Sequence, residues 1–193
     1  MWLSRNNAKA GALDALNTAA PVVKIVESVY DHLEQATGTL ASKTITLDVN
    51  NGTQSLNCFQ LTGSIKALRL YAEITTASTF TNCTNVFFEL YDSTSSVDIT
   101  KSSPGAVLSG LAVGTFMVKN AVASTALEVA DNVAGAIVED STTKIFHQFF
   151  LTQKTAANTY IRFTYTSSDA PVAATITVYC DYVGLGSGTL VAV

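Results

Sequence analysis

The chain has 193 residues, of which 48% are hydrophobic and 13% are charged, with a formal net charge of −4 at pH 7. Average globular proteins carry about 25% charged residues. The low charge indicates either an ordinary β-rich protein or a subunit whose surface is covered by protein partners. Basic residues are scattered, and the N-terminus offers only Arg5 and Lys9. Direct nucleic-acid binding needs clustered cations, so the sequence argues against a genome-packaging arm.

The first 40 residues read as a helical N-terminal segment. Pro21 suits the first position of a helix, where its missing N–H is not needed. An apolar stripe at helical spacing follows, made of Val22, Ile25, Val29 and Leu33 together with Val26. We predict that residues 1–40 are helical, and that the stripe either packs on the rest of the chain or serves as an anchor or oligomerisation helix.

From Lys43 onward the hydrophobic period changes to two, which is typical of strands. Thr44–Val49 alternates polar and apolar residues, and Asn51-Gly52 predicts a hairpin whose returning strand is Gln54–Leu61. Further strands follow at short spacing, with turn-rich stretches between them and no long helical pattern: Ser64–Thr75, Asn85–Tyr91, Gly114–Lys119, Ala126–Val129, Ala136–Glu139, Lys144–Leu151, Asn158–Thr166 and Val172–Val183. We therefore predict a mainly β fold, an antiparallel β-sandwich of the jelly-roll kind, over residues 41–193.

Two predicted strands place large apolar side chains on both faces. They contain Phe87-Phe88 and Phe149-Phe150. An antiparallel strand with one wet face should alternate, so we expect a helix or a neighbouring subunit to cover the second face.

The chain ends in a glycine-rich stretch, which we interpret as a hinge, followed by apolar residues that include Leu190 and Val191. A free apolar tail is an aggregation hazard. We expect it to form a strand, either in its own sheet or in that of a neighbour.

The sequence contains no strong catalytic or metal-binding motif. His32 and His147 have no second ligand at metal spacing, and no Gly-x-Ser-x-Gly elbow or phosphate loop occurs. Glu73, Glu89 and Asp181 lie within predicted strands, where solvated outer-face positions are expected. We predict no catalytic residue, no cofactor and no metal site.

Cysteine usage and hydropathy bear on where the chain is made. Cys58, Cys83 and Cys180 have no metal-like spacing and are predicted as buried free thiols, with one disulfide left as the alternative. Free thiols suit a reducing cytoplasm. No secretory leader is evident after Met1, and no stretch reaches the ~20 apolar residues of a membrane span.

Tyrosines are spread through the predicted strands. Tyr160 and Tyr165 fall on opposite faces of one strand, so they do not form one platform. A core or interface role is favoured over a sugar-binding one, although tyrosine suits both.

The pattern as a whole resembles the small virion proteins of tailed bacteriophages, namely decoration, collar, head-fibre or tail subunits. The features that carry this resemblance are the helical start, the Thr/Ala/Val-rich strands with few charges, the paired phenylalanines and the Gly-rich apolar end. The resemblance implies a homo-oligomer docked on other virion proteins, made in the host cytoplasm, with the N-terminal helices as the docking element.

We therefore expect a non-enzymatic virion structural subunit that associates with itself, without direct contact to nucleic acid or membrane. A receptor- or carbohydrate-binding β-sandwich module is the alternative, and a jelly-roll hydrolase is a third hypothesis. Nine residues are predicted to lie at the oligomer or partner interface: Val22, Ile25, Val29, Leu33, Phe87, Phe149, Phe150, Leu190 and Val191.

Overall fold

The computed structural model describes residues 38–47, 52–76, 83–108, 112–130, 148–154, 157–167 and 174–193. Strands make up 74% of these residues. The strands are β1 (Thr39–Leu47), β2 (Gly52–Thr76), β3 (Cys83–Tyr91), β4 (Ser96–Asp98), β5 (Ala106–Leu108), β6 (Phe116–Val118), β7 (Glu128–Ala130), β8 (Phe149–Thr152), β9 (Thr159–Ser167) and β10 (Ala174–Ala192).

All the described strand pairs are antiparallel, which confirms the prediction of a mainly β, antiparallel fold. The described part of the chain contains no helix. The predicted helical stripe of Val22, Ile25, Val29 and Leu33 lies outside the described residues. The last residues of the predicted helical segment, Thr39 and Leu40, instead begin β1.

The strands form one sheet in the order β1-β10-β2-β9-β3-β4. Two long strands, β2 and β10, pair with each other from one end of the sheet to the other. On its second edge β2 pairs in turn with β9, β8 and β6. The sequence predicts two strands, Gln54–Leu61 and Ser64–Thr75, where the structure has the single 25-residue β2.

Close backbone packing marks the middle of the β2–β10 pair. Gly63 has a φ of +64° and Gly186 one of +65°, values that favour glycine. The register shifts between Leu185 and Thr189, which is the signature of a bulge that bends a strand. A Cβ atom on Gly188 would lie 1.6 Å from the Ser64 carbonyl oxygen, so only glycine fits there.

The predicted hairpin between β1 and β2 does not form. β10 lies between these two strands and pairs with both, for example through Thr177, which is opposite Thr44 of β1 and Glu73 of β2. Gly52 does have a φ of +105°, as an Asn-Gly turn requires. Residues 48–51, which would form the predicted turn, lie outside the described residues, and β10 pairs with β1 in the position predicted for the returning strand.

The core is one cluster of buried apolar side chains drawn from nearly every strand. Strict alternation places Ala174, Ile176, Val178, Cys180 and Tyr182 of β10 on its buried side. The largest fully buried side chains of the core cluster include Phe59, Leu61, Ile65, Leu70, Phe88, Ile161, Phe163 and Tyr165. Residues of opposite parity on the same strands therefore point away from the core and form the outer faces of the sheet.

Candidate interaction surfaces

One outer face is formed by β1, β10, β2, β6 and β8, and we call it the tyrosine face. Cross-strand register places its residues in rows: Tyr179 lies opposite both Ser42 and Tyr71, and Glu73 lies opposite both Thr177 and Phe116. The tyrosine face consists of Leu40, Ser42, Thr44, Lys66, Arg69, Tyr71, Glu73, Phe116, Phe150, Thr177, Tyr179 and Asp181.

Three aromatic rings lie together at the centre of the tyrosine face. The rings of Tyr71 and Tyr179 are stacked, with centroids 4.9 Å apart and an interplanar angle of 18°. The Phe116 ring tilts against Tyr71 at 6.4 Å. All three side chains are only half-buried, so the cluster presents aromatic surface outward.

Charged groups surround this ring cluster. Arg69 lies directly opposite Asp181 across the β2–β10 pair, and Glu73 lies on the other side of Tyr71. Burial raises the pKa of Tyr71, and the neighbouring Tyr179 adds to the rise while Arg69 opposes it. The phenol therefore stays protonated and remains a hydrogen-bond donor throughout the neutral pH range.

The predicted phenylalanine pair of β8 divides between the two sides of the sheet. Phe149 lies opposite Ala67, is partly buried and packs against the core, whereas Phe150 lies opposite Lys66 and is 68% exposed. Leu40 of β1 is also exposed on this side, at 58%. Phe150 and Leu40 thus extend the apolar surface of the tyrosine face.

A second outer surface is formed by the end of β10 together with β2, β9, β3 and β4, and we call it the arginine face. Arg162 of β9 lies between Asn57 and Glu89, and Glu89 in turn lies opposite Asp98. The next row is Val191, Gln60, Tyr160, Tyr91 and Ser96. The arginine face consists of Ser55, Asn57, Gln60, Phe87, Glu89, Tyr91, Ser96, Asp98, Tyr160, Arg162, Thr164 and Val191.

Glu89 is buried even though it points away from the core. Its residue exposure is 6%, and its Oε1 accepts a hydrogen bond from the Thr164 hydroxyl at 3.0 Å. The Thr164 hydroxyl also lies 2.9 Å from Ser55 Oγ. Arg162 Nε is 3.4 Å from the same Glu89 oxygen, so a positive charge compensates the buried carboxylate.

The guanidinium of Arg162 is held mainly by a ring. Its Cζ lies 4.0 Å from the centroid of the Tyr91 ring, a close cation–π contact. Among the described residues, Arg162 Nε is the single buried side-chain nitrogen or oxygen without a hydrogen-bond partner. The side chain is 19% exposed, so the guanidinium is oriented while reaching the surface.

Of three further residues predicted at an interface, two lie on the arginine face and one lies in the core. Phe87 is half-buried opposite Thr164, and Val191 is 56% exposed opposite Gln60. Leu190 points the other way: it is 7% exposed, belongs to the core, and donates its backbone N–H to the Tyr182 hydroxyl at 3.2 Å. The apolar end of the chain is thus a strand of its own sheet.

The carboxylates named from the sequence separate into two groups. Glu73 and Asp181 both lie near Tyr71 on the tyrosine face, whereas Glu89 lies on the arginine face. The described residues contain no group of three or more His, Cys, Asp or Glu side chains placed to hold a metal ion. His32 and His147 lie outside the described residues.

All three cysteines are free and fully buried, as the sequence predicts. Burial raises the pKa of each thiol, of Cys58, Cys83 and Cys180, to about 12. They are therefore protonated, inert packing groups at neutral pH.

Sequence reasoning did not find the tyrosine stack or the Arg162–Glu89 pair. Tyr71 and Tyr179 are far apart along the chain and meet only through the register of β2 and β10. Arg162 and Glu89 meet in the same way through β9 and β3. Alternation within each strand was the available signal, because it separates outward from buried positions, but it does not say which outward residues of different strands meet.

No family model matches this chain, and neither the curated proteins nor the solved structures with which it was compared provide a match. In the part of the chain that the structure describes, no helix has the length and apolar character needed to cross a membrane.

Proposed function

We propose that this protein is a non-enzymatic structural subunit of a virion that associates with copies of itself and docks on a larger viral assembly. The observation that carries the proposal is the stacked Tyr71–Tyr179 pair at the centre of an outer sheet face, extended by the exposed Phe150 and Leu40. Aromatic residues are enriched in interfaces, and charged residues are depleted from interface cores. The virion assignment rests on the compositional resemblance to small bacteriophage proteins.

A second copy of the chain is the partner that suits the tyrosine face. Arg69 lies beside Asp181 and near Glu73, so this face carries both signs of charge next to its aromatic centre. In a two-fold interface the same patch meets itself. Arg69 of one copy would then meet an acidic side chain of the other while the rings pack at the axis.

Association through the sheet edge is disfavoured by Lys43. Within the described residues β1 pairs only with β10 and so is an edge strand. Lys43 has the parity of the buried Ile45 and lies opposite the buried Val178, which makes it an inward-pointing charge on that edge. Such charges protect edges against pairing with another chain. Face-to-face contact is therefore the preferred mode in this proposal.

The finer architecture is also part of the proposal. We infer that the continuous sheet folds into two layers of a jelly-roll-like sandwich. The bulge and the close glycine packing in the middle of the β2–β10 pair support this. The single core cluster, which contains side chains from both ends of β2, supports it as well.

Sedimentation velocity of paired tyrosine variants tests the proposal. We expect the wild-type chain to be oligomeric at micromolar concentration and Tyr179→Ala to weaken association by about tenfold or more, because it removes one ring of the central stack. Tyr160→Ala is the matched control, since Tyr160 is a half-buried tyrosine of the arginine face. A wild-type chain that stays monomeric across the micromolar range contradicts the proposal.

A further inference from the structure

The arginine face carries hydrogen-bond donors and acceptors in the pattern of a ligand site. None of its residues belongs to the tyrosine face. Its centre is the row of Asn57, Arg162, Glu89 and Asp98, flanked by the tyrosines of the next row. Neighbouring strands are about 4.8 Å apart. The row therefore spans a surface wide enough for one or two sugar rings.

The donors on this face come from an oriented guanidinium. Arg162 is fixed by the Tyr91 ring and by the charge of Glu89, and its Nε makes no hydrogen bond. That Nε is buried 3.4 Å from Glu89 Oε1, so it serves the ion pair, and the 19% of the side chain that is exposed is the part that a ligand can reach. The guanidinium carries five N–H donors in a fixed plane, so fixing it by ring stacking leaves donors available to a ligand.

The acceptors lie at the ends of the same row. Asp98 has one carboxylate oxygen bonded to the Ser102 backbone N–H at 3.3 Å, and a carboxylate has acceptor capacity beyond one bond. Asn57, at the opposite end, is exposed and has both donors and an acceptor. A sugar hydroxyl both donates and accepts hydrogen bonds. Adjacent hydroxyls of one ligand can therefore accept from Arg162 and donate to Asp98 or Asn57.

Charge decides between neutral and acidic ligands. Arg162 is already compensated by Glu89, and Asp98 adds a second carboxylate to the same row. An anionic group placed here would meet more negative than positive charge. Tyr160 adds an amphipathic ring in the adjacent row, opposite Tyr91, and such a ring packs against the apolar C–H surface of a sugar.

From these observations we propose that the arginine face is a binding site for a neutral glycan, with Arg162 and Asp98 engaging sugar hydroxyls and Tyr160 packing on the ring. The site is separate from the tyrosine face, because Asn57 lies in the part of β2 that pairs with β9, whereas Tyr71 lies in the later part, which pairs with β10 and β6.

The test begins with fluorescently labelled full-length protein on a glycan array that carries neutral, sialylated, uronic-acid and sulfated glycans. The strongest neutral hit is then titrated in solution as a free oligosaccharide, so that multivalency does not inflate the affinity. We expect binding to neutral glycans above the acidic classes. We expect Tyr160→Ala and Asp98→Asn each to weaken the solution affinity by about tenfold or more.

A paired replacement keeps the site testable without an unpaired buried charge. Arg162→Gln combined with Glu89→Gln removes both members of the ion pair, and we expect it to abolish glycan binding while the unfolding transition is retained. Tyr179→Ala is the control on the tyrosine face and should bind glycan as the wild type does. The same variant is expected to weaken self-association, so failure of the two proposals can be told apart.

Three results would overturn the inference. The first is an array on which no neutral glycan is bound. The second is a preference for sialylated, uronic-acid or sulfated glycans. The third is a neutral-glycan affinity that does not change in Tyr160→Ala, in Asp98→Asn or in the paired replacement.

Discussion

Lys119 is a buried cation beside the Phe149 ring. The residue is 3% exposed, its ammonium donates to the Ala121 carbonyl, and it lies 4.9 Å from the centroid of the Phe149 ring. Burial lowers the pKa of Lys119 from 10.5 to about 8. Desolvation of the charged form thus outweighs the contacts that favour it.

We expect Lys119→Met to raise the free energy of unfolding at pH 7 by about 1–2 kcal/mol, after allowance for the lost hydrogen bond and ring contact. At that pH both the folded and the unfolded wild-type chains carry the charge, so the burial cost is fully present. Between about pH 8 and pH 10.5 the folded chain loses the proton first. The wild type is therefore stabilised relative to the variant as pH rises through this range.

Urea unfolding of both chains at pH 7 and at pH 10 measures this difference. Comparison of the two chains cancels the effect of the three buried thiols, whose raised pKa values destabilise both chains equally above about pH 9. A variant that is less stable than the wild type at pH 7 would contradict the prediction.

The phenylalanine pairs show how well the alternation of residues along a strand predicts the face on which each side chain lies. In β3, Phe88 enters the core and Phe87 faces outward, and in β8 Phe149 and Phe150 divide in the same way. The parity of each residue could be predicted from the sequence. The partner that each outward residue meets could not, because cross-strand neighbours depend on the register of strands that are far apart in the chain.

At the scale of elements, the long β2–β10 pair decides the topology. The alternation of Val172–Val183 predicts a strand, but β10 continues through the glycine-rich stretch to Ala192. The glycines read as a hinge because they lack side chains to pack. In the structure they allow two backbones to approach closely, at a place where the register shifts. The sequence of one strand does not distinguish a flexible hinge from a close approach of two strands, because it does not show which strand pairs with it.

We expect Gly188→Ala to lower the free energy of unfolding by about 3 kcal/mol or more, because the added Cβ would overlap the Ser64 carbonyl oxygen of the facing strand. Gly186→Ala is the matched control. Nothing lies within 4 Å of a Cβ at Gly186, and only its φ of +65° opposes the substitution, at a cost of about 1–2 kcal/mol.

Thermal or urea unfolding of these two glycine variants distinguishes a close approach of the β2 and β10 backbones from a flexible hinge. If the stretch were a hinge, both variants would be tolerated to a similar degree. Equal and small losses of stability at Gly188 and Gly186 would therefore contradict the close approach of β2 and β10.

At the scale of the whole molecule, the tyrosine face and the N-terminal segment offer two different routes to assembly. Residues Thr39–Val193 form one compact unit with its own core, and the tyrosine face lies entirely within that unit. The apolar stripe of Val22, Ile25, Val29 and Leu33 lies outside it. Truncation therefore separates the two routes.

We expect a fragment of residues 38–193 to unfold in one cooperative transition, because its buried apolar cluster and its strand pairs lie within the fragment. We also expect it to self-associate in sedimentation velocity, with an affinity that Tyr179→Ala weakens by about tenfold, as in the full chain. A folded fragment that is monomeric, beside an oligomeric full-length chain, would assign assembly to residues 1–37. The tyrosine face would then be left for a different partner. A fragment that associates and responds to Tyr179→Ala would locate the interface in the sheet, with the N-terminal segment free to dock on another virion protein.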